Sequence, residues 1–202
     1  MPHDGSDAQD GSELFRQLPN ILTLLRILAI PLLVWLLSYP GPRESVAAMG
    51  VFFLASMTDF LDGWIARRYG LVTPLGKLLD PLADKLLVVS ALVMLGVLER
   101  DPGVPGWLLV VIIGRELSVT GLRSIAAVEG IVMGAEVTGK TKMLLQTLGV
   151  HFLIVHYRYL GVSFHDVGLT LLVLSAVVGT WSAVDYHLQV FARLRLRPAR
   201  WG

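Results

Sequence analysis

Four aspartates are the residues in this sequence with the greatest capacity for chemistry. Asp59 and Asp62 are three positions apart, and Asp80 and Asp84 are four apart. On helices, both spacings place the two side chains on one face. If the two faces converge, four carboxylates repel one another unless a cation binds, and their hard oxygens suit Mg²⁺ or Mn²⁺ better than zinc. Two ions about 4 Å apart would suit in-line displacement at phosphorus.

The residues between the aspartates indicate a site that a ligand can approach closely. Gly63 and Ala66 share a helical face with the first aspartate, and small residues allow close contact with a backbone or ligand. Gly70 and Pro74 are predicted to break the helix and to leave Thr73 and Gly76 in a turn at the membrane surface. Ordinary ion pairs with neighbouring Arg and Lys are the alternative, but ion pairs require neither the repeated spacing nor the small residues.

The elements that must position these aspartates are predicted to be membrane helices. Hydrophobic residues make up 54% of the 202 residues and the mean hydropathy is +0.64, both high for a soluble domain. Apolar stretches of about 20 residues, long enough to cross a bilayer, recur along the chain. We therefore predict an all-α, polytopic membrane protein with six transmembrane helices. The predicted spans are residues 20–39, 45–69, 78–98, 105–128, 141–160 and 168–191.

The positions of Lys and Arg predict the orientation of these spans. Short cytoplasmic loops are enriched in both residues, and all but Arg43, Arg100 and Arg158 of the 17 Lys and Arg fall on one side. Both termini are therefore expected to be cytoplasmic. The predicted parts are a disordered tail (1–12), one membrane domain (13–192) and a basic cytoplasmic tail (193–202).

Overall composition excludes some functions. The 17 Lys and Arg nearly balance 16 Asp and Glu, so net charge gives no argument for a nucleic-acid partner. Cysteine is absent, which excludes disulfides and thiolate metal sites.

The first apolar span carries polar residues that need an explanation. Asn20, Thr23 and Arg26 recur at intervals of three and so lie on roughly one helical face. An arginine two turns into a membrane helix either extends to the lipid headgroups or finds a partner within the protein. Such a partner would be a phosphate or the aspartates.

The fourth and fifth spans carry further basic residues. Arg115 and Arg123 are eight positions apart, about 80° around a helix, so both can point into one cavity. Glu116 is placed to hold one of them, and Lys140 and Lys142 begin the fifth span. Together these residues predict a basic pocket beside the metal site, suited to an acceptor that itself carries a phosphate. Ordinary enrichment of cytoplasmic Lys and Arg is the alternative, chiefly for the lysines.

The segment that contains the aspartates resembles the signature of the CDP-alcohol phosphatidyltransferase family. Every fixed position of that signature is present, in the form Asp59-x2-Asp62-Gly63-x2-Ala66-Arg67-x8-Gly76-x3-Asp80-x3-Asp84. The resemblance implies that this element binds two divalent ions, Mg²⁺ or Mn²⁺, and the diphosphate of a CDP-lipid. It also implies that an acceptor hydroxyl attacks the β-phosphorus of the CDP-lipid with release of CMP.

The same resemblance implies roles for individual residues. Asp59, Asp62 and Asp80 would ligate metal, and Asp84 would be a metal ligand or the general base. The residues expected to contact the CDP-lipid are Gly63, Arg67, Thr73, Asn20 and Thr23. The residues expected to contact the acceptor phosphate are Arg26, Arg115, Arg123, Lys140 and Lys142.

Three further segments bear on the acceptor. The opening of the first span at Pro19, the Gly-Arg-Glu stretch at 114–116 and the Gly-Lys-x-Lys run at 139–142 are similar to bacterial members that use sn-glycerol 3-phosphate. Met143 departs from their usual threonine, which bears on fine acceptor specificity. The resemblance implies transfer from CDP-diacylglycerol, by a homodimer embedded in membrane lipid, at the cytoplasmic face of the bacterial inner membrane.

Other functions stay open at this point. The same chemistry with an inositol phosphate would also need basic residues, and with phosphatidylglycerol as acceptor it would give cardiolipin. A divalent-cation transporter belongs to another class and would place carboxylates near the bilayer midplane on several helices.

Overall fold

Helices dominate the structure, a computed structural model that describes residues 6–39, 41–69, 74–131 and 137–195. Within these ranges only the backbone is described for residues 6–19, 59–69, 74–78, 80–81, 137–138 and 195. The helices of the described ranges are α1 (Ser6–Leu37), α2 (Pro42–Tyr69), α3 (Pro74–Val97), α4 (Gly106–Val128), α5 (Val137–Val155) and α6 (Phe164–Arg195). Strands β1 (Arg158–Tyr159) and β2 (Val162–Ser163) pair antiparallel between α5 and α6. The predicted all-α class is confirmed, and each predicted span overlaps one helix.

Helix α1 begins earlier than the sequence predicted. It starts at Ser6 and continues through Pro19 into the apolar span, although proline removes one helical hydrogen bond. Once a helix is nucleated, each added residue contributes a further hydrogen bond, so the apolar segment can extend into polar sequence. Residues 1–5 of the predicted tail and residues 196–202 of the basic tail lie outside the described residues.

The break between α2 and α3 lies where it was predicted, but α3 begins earlier than its predicted span, 78–98. Helix α2 ends at Tyr69 and α3 begins at Pro74. Proline suits the first position of a helix because its missing N–H would have no helical partner there. Gly76 therefore lies in the first turn of α3 and the prediction of a turn at this residue is wrong, while Thr73 lies outside the described residues.

The first of two compact units, Met1–Leu98, contains α1, α2 and α3. Helix α1 packs against both α2 and α3. Alanines among the core residues let helices approach closely. The fully buried residues of this core include Leu33, Leu37, Ala48, Phe52, Ala83, Leu87, Ala91 and Leu92.

The second unit, Glu99–Gly202, contains α4, α5 and α6, and α6 packs against the other two. The backbones of α5 and α6 meet at Gly149 and Gly168. A Cβ atom on Gly168 would lie 2.8 Å from the backbone nitrogen of Leu153 and 2.9 Å from the backbone oxygen of Gly149. Only glycine leaves room for this approach. A separate apolar cluster between α4 and α6 contains Leu122, Ala126, Ile131, Tyr186 and Val190.

Helix α5 ends earlier than the predicted span 141–160, and a short hairpin follows it. The helix ends at Val155 because the next residue, His156, has a positive φ of 63°, outside the right-handed helical region. Leu160 and Gly161 also have positive φ, 52° and 80°, as a tight two-residue hairpin turn of the primed type requires.

The connection between α3 and α4 is bound to the end of α5. Arg100 Nη1 donates to the carbonyl oxygen of Ile154 at 3.0 Å, which satisfies one of the last carbonyls of that helix. The ring of His156 donates to the backbone oxygen of Asp101. Burial, reinforced by the positive charge of Arg100, lowers the pKa of His156 below its ordinary value. The two hydrogen bonds tie this connection to the end of α5.

Among the described residues, two helices are long and apolar enough to cross a membrane, through segments Asn20–Leu37 of α1 and Phe164–Leu194 of α6. A core helix of a soluble protein can match that length and composition, but its apolar surface would be buried. Only 22% and 39% of these two segments are buried within the chain, and large side chains such as Trp181 (75% exposed) face outward. Such exposed apolar surface is unfavourable in water, so these helices indicate a membrane protein.

We expect Gly168→Ala to lower the free energy of unfolding by about 1–3 kcal/mol, because the added methyl group would overlap backbone atoms. Thermal unfolding of the detergent-solubilised protein measures the change. Gly121→Ala in α4 is the matched control, since a Cβ there meets nothing within 4 Å. Equal stability of the two variants would contradict the close backbone contact.

Candidate active site

The four aspartates lie on two consecutive helices of the first unit. Asp59 and Asp62 are in the C-terminal half of α2, and Asp80 and Asp84 are in the N-terminal half of α3. Their spacings of three and four are therefore helical spacings, as the sequence predicted. Both pairs adjoin the same connection, residues 70–73, because α2 runs toward it and α3 runs away from it.

The structure describes part of this site. Helix α2 also carries Gly63 and Arg67. The side chains of Arg67 and of three of the aspartates, Asp59, Asp62 and Asp80, lie outside those described, whereas Asp84 is half-buried. Among the described side chains, no three His, Asp or Glu residues form a metal site. Because three of the four predicted ligands lie outside the described side chains, the metal site stays a prediction.

Arg26 is buried, with 1% of its surface exposed. Its Nε donates to the backbone oxygen of Ala55 at 3.2 Å, and Thr58 Oγ1 donates to the same oxygen at 2.7 Å. Ala55 lies one turn before Asp59 on α2. Arg26 therefore does not extend to the lipid headgroups but connects α1 to the turn of α2 that leads to the first aspartate.

The other polar residues of α1 that were predicted to contact the CDP-lipid lie on the same side of the helix as Arg26. Thr23 is fully buried and Asn20 is half-buried. This polar face of α1 therefore lies within the first unit.

A charged group in the second unit, here called the Glu116 cluster, consists of Arg115, Glu116 and Lys142. Glu116 Oε2 accepts a hydrogen bond from Arg115 Nη1 at 2.8 Å and another from Lys142 Nζ. Lys142 is only 7% exposed. Two cations and one anion give the cluster a net charge of +1, within helices that are otherwise mostly apolar.

Helix α6 is shaped to admit this cluster. Arg115 Nε donates to the backbone oxygen of Gly179 at 2.9 Å. A Cβ on Gly179 would lie 3.1 Å from Lys142 Cγ and 3.4 Å from Arg115 Nε, so glycine leaves space for both side chains. Ser175 Oγ donates to the backbone oxygen of Lys142 at 3.2 Å. Our reading of the sequence missed Gly179 and Ser175, although a glycine within a long apolar helix is a signal of close approach.

The remaining basic residues of the second unit are more accessible. Arg123 and Lys140 are exposed. The guanidinium carbon of Arg123 lies 5.8 Å from the ring centroid of Tyr186, at cation–π distance. Because Tyr186 is packed in the apolar cluster between α4 and α6, its ring holds the Arg123 guanidinium against those helices. The predicted acceptor residues of this unit thus divide into a pair bound to Glu116, of which Lys142 is buried and Arg115 partly buried, and an exposed pair.

The chain belongs to the CDP-alcohol phosphatidyltransferase family, because residues 16–181 match the sequence profile of that family. This region contains the whole aspartate signature, so the resemblance drawn from that motif is confirmed. The family consists of phosphotransferases for substituted phosphate groups and generally depends on divalent metal ions.

Two bacterial relatives share the name CDP-diacylglycerol–glycerol-3-phosphate 3-phosphatidyltransferase. The protein of Bacillus subtilis is 38% identical over 179 residues, which cover 81% of this chain and 91% of the relative. That of Rickettsia bellii is 41% identical over 137 residues, covering 68% and 74%. A relative from rice, named cardiolipin synthase (CMP-forming), is 36% identical over 193 residues, covering 86% of this chain and 57% of the rice protein.

We expect Arg26→Ala to lower the free energy of unfolding by about 2–4 kcal/mol, because it empties a fully buried position and removes a hydrogen bond between helices. Thermal unfolding in detergent checks this. Arg43→Ala is the control, since Arg43 is exposed at the start of α2 and surface substitutions usually change stability by less than about 0.5 kcal/mol. A similarly small effect at Arg26 would mean that its side chain is not buried.

Proposed function

We propose that this protein transfers the phosphatidyl group of CDP-diacylglycerol to sn-glycerol 3-phosphate, releasing CMP and forming phosphatidylglycerophosphate. The observation that carries the proposal is the complete family signature, whose aspartate pairs lie on α2 and α3 beside one connection. The names of the two bacterial relatives support this donor and acceptor.

The donor set suits divalent cations. Four carboxylates supply the hard oxygen ligands that Mg²⁺ and Mn²⁺ prefer, and α2 and α3 carry them at helical spacing. Asp59, Asp62 and Asp80 would hold two such ions, with Asp84 as a further ligand or the base. Bound there, the ions would neutralise charge on the diphosphate and on the leaving group.

Asp84 is proposed as the general base. It takes the proton from the acceptor hydroxyl as that oxygen bonds to the β-phosphorus of the CDP-lipid. The bond from that phosphorus to the bridging oxygen breaks, and its electron pair leaves with CMP. Transfer is direct and needs no covalent enzyme intermediate. The residues proposed to hold the CDP-lipid are Gly63, Arg67, Thr73, Asn20 and Thr23.

The acceptor phosphate would be bound by basic side chains. In the second unit, Arg123 and Lys140 are exposed, and Arg115 and Lys142 are held by Glu116. Arg26 belongs to the same proposed set. Phosphatidylglycerol is the second candidate acceptor, favoured by the name of the rice relative. Membership of a transferase family argues against the cation transporter.

All six helices are proposed to cross the membrane, with both termini in the cytoplasm. The connections would then alternate between sides. Arg43, Arg100 and Arg158 lie in or beside the connections α1–α2, α3–α4 and α5–α6, which would face away from the cytoplasm. The aspartates adjoin the connection α2–α3, on the cytoplasmic side of a bacterial inner membrane. A homodimer formed through membrane helices is part of the same proposal.

The decisive experiment is an assay of purified protein with CDP-diacylglycerol, Mg²⁺ or Mn²⁺, and each candidate acceptor in turn. We expect CMP release that depends on glycerol 3-phosphate and stops when EDTA removes the metal. Release only with phosphatidylglycerol or an inositol phosphate would show that this molecule, and not glycerol 3-phosphate, is the acceptor. No release with any acceptor would refute the proposed enzyme activity.

We expect Asp84→Asn to reduce turnover by about 10²–10⁴-fold, the usual contribution of a general base, with little change in helical content. CMP release and circular dichroism measure the two properties. Asp185→Asn is the matched control, because it removes one carboxylate charge from an exposed site on α6 and should leave turnover unchanged. Comparable turnover in the two variants would exclude Asp84 as base or ligand.

We expect Arg123→Gln to raise the KM for glycerol 3-phosphate by roughly tenfold, as loss of one charge-assisted hydrogen bond predicts. The KM for CDP-diacylglycerol should stay within about twofold of the wild type. The control is Arg158→Gln, an exposed arginine of the hairpin. An unchanged acceptor KM would remove Arg123 from the proposed binding set.

A further inference from the structure

Glu116 has no role in the reaction as proposed so far, yet it lies at the centre of the charged group of the second unit. Its Oε2 accepts hydrogen bonds from both Arg115 and Lys142. This carboxylate halves the net positive charge of the cluster. For a site that binds a phosphate, an anion in this position weakens the long-range attraction, so its presence needs a separate reason.

Stability alone does not supply that reason. Removing charged groups from water usually costs at least as much as their mutual attraction returns, and apolar side chains of similar size often replace buried ion pairs without loss. Lys142 is 7% exposed and lies among apolar helices. Three charged residues at such a position are therefore better explained by function than by folding.

The geometry around Lys142 indicates what the carboxylate does. A lysine side chain is a flexible four-carbon stem that ends in a point charge. Here its main-chain oxygen accepts from Ser175, its stem lies against Gly179, and its ammonium group donates to Glu116. Contacts at both ends and along the stem place the ammonium group at one position.

Arg115 is held in a similar way. Its Nε is bound to the Gly179 backbone oxygen and its Nη1 to Glu116. A guanidinium carries five N–H donors in a rigid plane, so with these two contacts made, Nη2 can still donate to an anion. Glu116 thus fixes the direction in which Arg115 and Lys142 present their charge.

We propose that Glu116 is a positioning residue for the acceptor: it fixes the Lys142 ammonium and the Arg115 guanidinium in the arrangement that binds the acceptor's phosphate. This inference rests on the proposed function and adds to it a residue that acts through its neighbours. Groups held in place before binding lose less conformational freedom when the ligand arrives, so the benefit appears in acceptor affinity.

Glu116→Gln tests the proposal, because it keeps the shape of the side chain and removes its charge. We expect the KM for glycerol 3-phosphate to rise about tenfold, the loss of one charge-assisted hydrogen bond. The KM for CDP-diacylglycerol and kcat should stay within about twofold. An unchanged or lower acceptor KM would overturn the proposal, since the carboxylate would then only repel the phosphate. Equal changes in both KM values would indicate a merely structural role and would also overturn it.

A double-mutant cycle tests whether Glu116 acts through Lys142. If it does, Glu116→Gln should raise the acceptor KM by a smaller factor in the Lys142→Met background than in the wild type, because residues in direct contact are not additive. The factor that remains is the effect of Glu116 through Arg115. Fully additive effects would contradict a positioning role through Lys142. Asp185→Asn is again the matched control for loss of one carboxylate from the same unit.

A second variant and the activity of the wild type distinguish failure of the positioning role from misfolding and from failure of the proposed function. If Glu116→Gln does not fold, Glu116→Asp retains the charge on a shorter stem, and the same acceptor-specific rise in KM is expected at a smaller size. Failure of the wild type to release CMP with glycerol 3-phosphate would refute the proposed function. If the wild type uses another phosphorylated acceptor, the same variants are measured with that acceptor. No effect of Glu116→Gln on its KM would then overturn the positioning role alone.

Discussion

The cost of burying charge among apolar helices governs the arrangement of the polar residues. A charged side chain in such surroundings persists only where hydrogen bonds replace the water that it has lost. Arg26 meets this requirement with a backbone carbonyl of α2, whereas Arg115 and Lys142 share the Glu116 carboxylate. The Arg26 bond joins α1 to α2 and the Lys142 bond joins α5 to α4, so contacts that make burial tolerable also align helices that carry the candidate site.

The helices, and the helical positions of the four aspartates, were the predictable part of this protein. Long apolar runs cut by Gly, Pro and charge predict helices directly, and α2 to α5 begin and end within a few residues of the predicted spans. The aspartate signature is local, occupying two consecutive helices on either side of one connection. The relative placement of residues in such a local pattern can be predicted from sequence, because helical spacing fixes which residues share a face.

The acceptor residues could not be resolved in the same way, because their partners are distant in sequence. Arg115 is bound to Gly179 and to its neighbour Glu116, and Glu116 in turn to Lys142 on another helix. Sequence alone identified these cations as a group but did not show which are held by protein partners and which are exposed. Nor did it show that His156 would adopt a positive φ and end α5 there, or that Leu160 and Gly161 would reverse the chain.

The contact between Arg26 and Ala55 has a consequence for the comparison of sequences within this family. The acceptor atom belongs to the main chain, and every amino acid at position 55 would supply the same carbonyl. This hydrogen bond therefore does not depend on which side chain is present at position 55. Correlated substitutions between positions 26 and 55 in an alignment would not reveal it, however strongly it were selected. In such an alignment, position 55 would show only a restriction to small side chains, since Ala55 is buried where two helices meet.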